Sequence, residues 1–376
     1  MKFSIVLSEI IKQIQEVSGI ASSSPNKEDV TQNMLITVKD HTLSLRATDY
    51  NIDLEAVIPV ADVESEGAAI VNAAKLRDMC KNLDVNSNIF FNLDDSEGGT
   101  LIVKSDNTTF DIRTKCFEFP SFQSEPVSQT ISLTQKQLKN VLDSAIFCIS
   151  PDDFRDYLRG MRFEANESQL SVFTSDGHRM AFIEAKLLQP VTELFGAVGT
   201  KKSVMQLARI LDPNSDARVD LNFSKSNLSV YCNGYNLLSK LILCGYPNVR
   251  SVIPKQIDAV VTIPRQALRN QITRVSVLSS RRVNGITFKF ADNLLSMRTE
   301  NAEHEVATSQ MAINYTGAPV EVSLNATYIY EVLSNSNCED IEFHFSTPLQ
   351  HLLVSPPQKE QPTDVTLRYL ISKVII

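Results

Sequence analysis

From Gly160 the chain reads GMRFEANESQLSVFTSDGHRMAF, two runs of alternating apolar and polar residues joined by a polar turn and closed by an Asp-Gly-His-Arg turn. Strict alternation marks strands buried on one face. The same grammar returns from Asn33 as NMLITVKDHTLSLRATDYNIDLEAVIPV and from Gly285 as GITFKFADNLLSMRTENAEHEVATSQMAI. A repeat of this size decides the architecture before any single motif does.

Around each copy the periodicity changes from two to 3.6 and back. The first repeat opens with a strand over residues 3–7 and a helix over 8–18, where Ile10, Ile11, Ile14 and Val17 form one face and Gly19 supplies the stop. A second helix, 73–83, carries Leu76, Met79, Cys80 and Leu83, and the strands NIFFNL, TLIVKS and TFDIRTKCF come after it. The second repeat starts at Ile131 with a helix from Thr134 and a further helix near 201–211, then the strands RVDLNF, NLSVYC and LLSKLIL. The linker GYPNVRSVIPKQ, with two prolines and a glycine, suits a boundary. The third repeat begins near Val260, with Pro264 as a first helical residue, a last helix over 326–335, and the strands IEFHF, HLLVS and TLRYLISKVII.

Landmarks such as Phe3, Ile131 and Val261 recur about 125–130 residues apart. The expected fold class is therefore α+β: three domains, 1–127, 128–252 and 253–376, each with two helices on an antiparallel sheet. Sheets in line need their edges covered, and pairing end to end, within the chain and with a second copy, would do so.

Composition refines this picture. At 376 residues, 43% hydrophobic and 21% charged, the chain is of ordinary globular make-up. It has no apolar run of about 18 residues, and its N-terminus, MKFSIVLSEIIKQIQ, does not read as a signal peptide. Six scattered cysteines without paired spacing are expected to be free buried thiols in a reducing cytoplasm. The net charge of -8 argues against a nucleic-acid binder until the charges are located. The six expected helices hold roughly twelve Lys or Arg against five Asp or Glu, so the acid lies in strands and turns. Helices gathered on one face would then attract a phosphate backbone without reading sequence.

An enzymatic reading, a hydrolase using residues 160–182, is the weakest alternative. Ser175, Asp176 and His178 share one turn and cannot face one another as nucleophile, base and orienter. GAVGTKKS, residues 196–203, lacks phosphate-loop spacing, and the five histidines lack metal spacing. Neither a catalytic residue, a metal nor a cofactor is expected.

At this point the sequence resembles the bacterial DNA polymerase III beta subunit family, the sliding clamps, over its full length. The resemblance rests on the opening MKF and the helix end EVSG, on TLSLRATDYNIDLE, FRDYLRGMRFE and TSDGHRMA, on the GYPN linker with a later Ile-Pro, and on the last strand from YLI. The family implies a head-to-tail homodimer of three-domain protomers, a ring whose helices line a hole for duplex DNA. It implies as partners the polymerase III catalytic subunit, the clamp loader and other proteins with clamp-binding motifs, in a cytoplasmic, nucleoid-associated setting with no membrane.

By resemblance, the partner-peptide pocket carries over to Leu158, Ser175, Gly177, His178, Arg179, Met180, Pro247, Val252, Leu370, Ile371 and Val374. Phe110 and Ile112, with Val277 and Leu278, match the family's dimer interface. DNA contacts are expected from Lys201, Lys202, Arg155, Tyr157, Arg281 and Arg282, with Lys12, Lys136, Lys139, Arg265 and Arg269 on helices. Three departures stand out. Ser24 replaces an arginine in the loop after Gly19, Ala74 replaces a basic residue, and the tail SKVII puts Ser372 and Lys373 where relatives carry an apolar Met-Pro segment. A repeat scaffold that does not bind DNA is the alternative reading of the same strands.

Overall fold

The computed structural model describes residues 1–22, 29–94, 99–123, 125–280 and 283–375. Among these residues the α-helices are α1 (Leu7–Ser18), α2 (Ala73–Lys81), α3 (Gln135–Ala145), α4 (Lys201–Ile210), α5 (Arg265–Val275) and α6 (Ala326–Asn335). Each begins where a strand ends. Asn72 and Asn325 cap α2 and α6 through their side chains, and Thr134 with Gln137 forms a reciprocal capping box at α3, satisfying N–H groups the first turn leaves open.

Two sequence expectations shift here. Pro264 is the last residue of a strand and precedes α5 rather than starting it, since its extended ψ of 113° has not yet turned helical. Gly19 ends α1 in a right-handed conformation (φ -66°), so the stop comes from the turn beyond it and not from left-handed geometry.

The chain forms two compact units. The first comprises Met1–Ser132, Met205–Asp212 and Ala217–Leu241; the second comprises Leu133–Val204, Pro213–Asp216 and Ile242–Ile376. In the first unit a five-stranded sheet runs in the order Asp62–Ser65, Lys2–Val6, Asn88–Asp94, Thr100–Ser105, Thr108–Arg113. Phe3 stacks on Phe91 in its centre, 4.7 Å between rings. An eight-stranded sheet has the order Gln129–Thr134, Arg218–Phe223, Asn227–Cys232, Tyr235–Lys240, Ile52–Pro59, Thr42–Thr48, Asn33–Lys39, Gly67–Asn72. Strands of two successive repeats meet inside it, with Tyr235 opposite Ala56 and Leu237 opposite Leu54 in an antiparallel pair.

The second unit repeats that join. Its eight-stranded sheet runs Phe195–Thr200, Gly160–Asn166, Gln169–Ser175, Arg179–Lys186, Val365–Ser372, His351–Ser355, Asp340–Phe345, Ala259–Pro264. Here Arg179 faces Ile371 and Met180 faces Leu370 across the seam between second- and third-repeat strands. A four-stranded sheet, Val306–Ala312, Leu294–Glu300, Gly285–Ala291, Val320–Asn325, completes the unit. The expected end-to-end pairing of repeats within the chain is thus made at both seams by main-chain hydrogen bonds.

The larger sheet of the second unit is covered on both faces. Thr174, fully buried, donates its hydroxyl to the carbonyl of Ala145 in α3 at 2.7 Å, which fixes the helix side. On the other side Phe173, Met180, Phe182, Leu353 and Leu370 form a cluster under Tyr246, Val249, Ile253 and Ile257 of the linker. Arg250 holds this strap down, its guanidinium 5.1 Å from the Phe173 ring and bonded to Glu164 (2.9 Å) and Ser171 (2.9 Å).

Candidate functional site

Where the strap meets the sheet seam it leaves a pocket of about 360 Å³. Strand alternation decides which residues reach it. Leu370 and Ser372 point to the strap side and line it, whereas Ile371, fully buried on the opposite side of the same strand, does not. Met180 and His351 arrive from the two neighbouring strands and Ser175 from the strand beyond, Pro247 and Val252 from the strap, and Leu158 from a short turn at Asp156–Leu158. Leu158, Met180 and Leu370 make a buried apolar floor. Of the eleven pocket residues expected by resemblance, nine line this hollow; Ile371 and Val374 do not, and the Val374 N–H is bonded instead to the carbonyl of Ser323 at 2.8 Å.

The turn Ser175–Arg179 is built by its own side chains. The Ser175 hydroxyl donates to the Arg179 carbonyl (2.6 Å) and accepts from Gly177 N–H (3.0 Å), while Asp176 Oδ1 accepts from the N–H groups of His178 and Arg179, both at 2.9 Å. Serine and aspartate are therefore engaged in backbone bonds, in keeping with a pocket-forming turn. Gly177 has φ +87°, the left-handed angle that favours glycine. The first repeat contains the same device: Thr48 donates to the Ile52 carbonyl (2.9 Å) and Asp49 Oδ1 accepts from Asn51 (2.9 Å) and Ile52 (2.8 Å). The two turns share these backbone bonds and differ in the residue that closes them, Arg179 standing where Ile52 stands.

Arg179 organises the wall. It bonds Asp176 (3.0 Å) and the Phe147 carbonyl (3.0 Å), pairs with Glu331 of α6, and lies 4.7 Å from the Tyr328 ring. His178 stacks over the same tyrosine at 6.4 Å. Glu331, the one charged residue of α6, thus has a structural task that helical periodicity could not reveal.

The residues expected to touch DNA are scattered by task. Arg155 and Tyr157 line the pocket, and Arg155 grips Asp153 with two bonds of 2.9 Å, which holds that carboxyl down at about 2. Lys201 Nζ donates to the Ile149 carbonyl (3.0 Å), and Lys139 pairs with Asp143 (2.8 Å). Arg265 bonds the carbonyls of Cys338 (2.6 Å) and Leu333 (2.8 Å), and Arg269 packs on Tyr330 at 5.0 Å. Lys12, Lys136 and Lys202 are exposed. Arg281, Arg282 and Ser24 lie outside the described residues. Of the interface candidates, Phe110 and Ile112 are on Thr108–Arg113, the end strand of its sheet, and Val277 is 77% exposed beside the partly buried Leu278.

The cysteine expectation needs amending: Cys80, Cys148, Cys232 and Cys338 are buried, but Cys116 is exposed and Cys244 half-buried. Burial pushes the Cys80 and Cys148 thiols up to about 12, so neither is a ready nucleophile. A larger hollow of about 670 Å³ in the first unit, lined by Leu35, Ile70, Lys115 and Phe117, gathers none of the expected site residues.

Family models described as the N-terminal, central and C-terminal domains of the DNA polymerase III beta subunit match residues 1–122, 132–248 and 250–369. The chain is 29% identical to the beta sliding clamp of Vibrio cholerae, over 92% of this chain and 93% of that protein. It is 27% identical to that of Haemophilus influenzae, over 99% of each. Among solved structures it is similar to a sliding clamp, DNA polymerase III subunit beta, of Pseudomonas aeruginosa bound to griselimycin, with a TM-score of 0.91, 27% identity and 100% of both chains covered.

Proposed function

The chain belongs to the DNA polymerase III beta subunit family and is a DNA sliding clamp, and we propose that two copies close head to tail into a ring around duplex DNA. In that ring each copy contributes three domains, 1–127, 128–252 and 253–376. The ring holds the polymerase on its template as a processivity factor without a catalytic site of its own, in the cytoplasm with the nucleoid.

The observation that carries the reading is the charge contrast. In a chain of net charge -8, the six helices hold twelve Lys or Arg and five Asp or Glu. A lining of modest positive charge attracts the phosphate backbone without base contacts, and weak contacts permit sliding. Lys12, Lys136 and Lys202, exposed on their helices, are the first candidates. Lys201, Lys139, Arg265 and Arg269 would add charge to the lining while serving local structure, and Arg155 and Tyr157 would contribute from the pocket rim.

Ring closure is supported by two end strands. Thr108–Arg113, with Phe110 and Ile112, ends one sheet, and Val306–Ala312 ends another near Val277. A strand edge is a ready template for a second chain, and a heterologous contact closes when its rotation does.

The pocket at Leu158, Met180 and Leu370 would take the apolar side chains of a short peptide from the polymerase, the clamp loader or another partner, each worth about 1.5–3 kcal/mol when fully buried. Sedimentation equilibrium tests the ring: the expected mass is twice the 41.9 kDa protomer, falling to one protomer in Val277→Asp. A protomer mass for the unsubstituted chain at micromolar concentration would overturn it.

A further inference from the structure

The peptide pocket continues past His351. Its lining shares Ser251, Val252 and His351 with a second trough of about 350 Å³, all within the second unit. The character changes at that junction. The first trough has the buried floor of Leu158, Met180 and Leu370, whereas the second presents Lys255 and Gln256 on one wall and Thr347 and Gln350 on the other, all exposed. Neither lining contains an aspartate or glutamate, although the chain has 44 of them. Asp258, the acid nearest in sequence to the second trough, accepts a bond from Gln256 at 3.4 Å. At the margin the exposed Lys373 donates its N–H to the Gln350 carbonyl (3.4 Å).

We propose that the two troughs form one docking groove, in which a partner peptide seats its apolar side chains in the first and runs an acidic flank over His351 into the second. Lys255 and the side-chain amides of Gln256 and Gln350 receive the flank's carboxylates. A single exposed cation adds modest affinity, but a groove whose lining carries no carboxylate discriminates flanks by sign. The proposal rests on the peptide reading of the first pocket and assigns that peptide a second, polar subsite.

The test is fluorescence polarisation on the full chain with a labelled Ser-Leu-Ser-Leu-Phe core. The core is titrated bare and with three Glu, Ser or Lys residues added at either end. The Glu flank at one end is expected to bind about three- to fivefold tighter than Ser, and Lys weaker than Ser. Lys255→Glu should reverse that order and leave the bare core unchanged. Equal affinity of all flanks at both ends, with the core still binding, overturns the second subsite and leaves the first pocket standing. A core that does not bind overturns both.

Discussion

Arg179, at the end of the pocket turn, is ion-paired with Glu331 of α6, 152 positions away in the chain. The arginine side chain is 9% exposed and the glutamate 37%. The guanidinium also keeps Asp176 and the Phe147 carbonyl, so Glu331→Ala leaves a buried cation partly rather than wholly unpaired. The expected cost is about 1–2 kcal/mol in urea unfolding. Peptide affinity should fall as well, because His178 is stacked on Tyr328 of the same helix. Glu331→Gln should recover part of both; unchanged affinity in Glu331→Ala would mean the turn is held without α6.

Ser372 lines the pocket with its hydroxyl 3.2 Å from His351 Nδ1, in a wall that resemblance expects to be apolar. The chain should therefore bind the Ser-Leu-Ser-Leu-Phe core more weakly than the Pseudomonas aeruginosa clamp. Ser372→Met should tighten it about fivefold through added apolar burial. Equal affinities for the two clamps in parallel titrations would remove the tail as a cause.

Gly177→Ala should cost about 1–2 kcal/mol and weaken the pocket. Tyr50 adopts φ 68° at the matching place in the first-repeat turn, so the angle alone is tolerated by a side chain. What Gly177 adds is proximity, since a Cβ there would meet Arg155 Nη2 at 2.7 Å, and Asp153 restrains that arginine. Thermal melts of Gly177→Ala and Gly177→Ala/Arg155→Ala separate the two effects: the double variant should regain stability relative to the single one.

His344 gives stability a pH dependence. Its Nε2 is 2.9 Å from Ser355 Oγ and 3.6 Å from Glu342 Oε2, yet burial, and then Arg368, push its pKa below the ordinary 6.5. The unfolded chain then binds the proton at a higher pH than the folded one. The stability contributed by the neutral ring is complete above 6.5 and declines as pH falls toward the folded value. Denaturant unfolding at pH 7.5 and 5.5 should show a smaller acid loss in His344→Asn than in the unsubstituted chain; His351, also lowered by burial, accounts for part of what remains. Equal losses would exclude His344 as a source.

Period-two and period-3.6 patterns made most strands and the α-helices legible, because an amphipathic face is written locally; the strands Asp62–Ser65, Phe195–Thr200 and Val320–Asn325 were not expected. α6 matches its expected span, and α1 and α4 differ by a residue at one end. The pocket was legible only through resemblance, and there the alternation within one strand corrected it, separating Leu370 and Ser372 from Ile371. Contacts over long separations left no local trace. Nothing in the sequence pairs Arg179 with Glu331, folds the linker over Phe173 and Phe182, or brings Arg155 to Gly177. Lys201, Arg265 and Arg269 read as free cations until their carbonyl and aromatic partners were located.

Topological retention on DNA tests the central claim most directly. The protein is closed by a clamp loader on a nicked circular duplex, passed through gel filtration, and tracked again after the circle is cut once. A ring stays with the circle through salt that screens surface contacts and slides off once the DNA is linear. Retention on the linear molecule equal to that on the circle, or none on either, would contradict it.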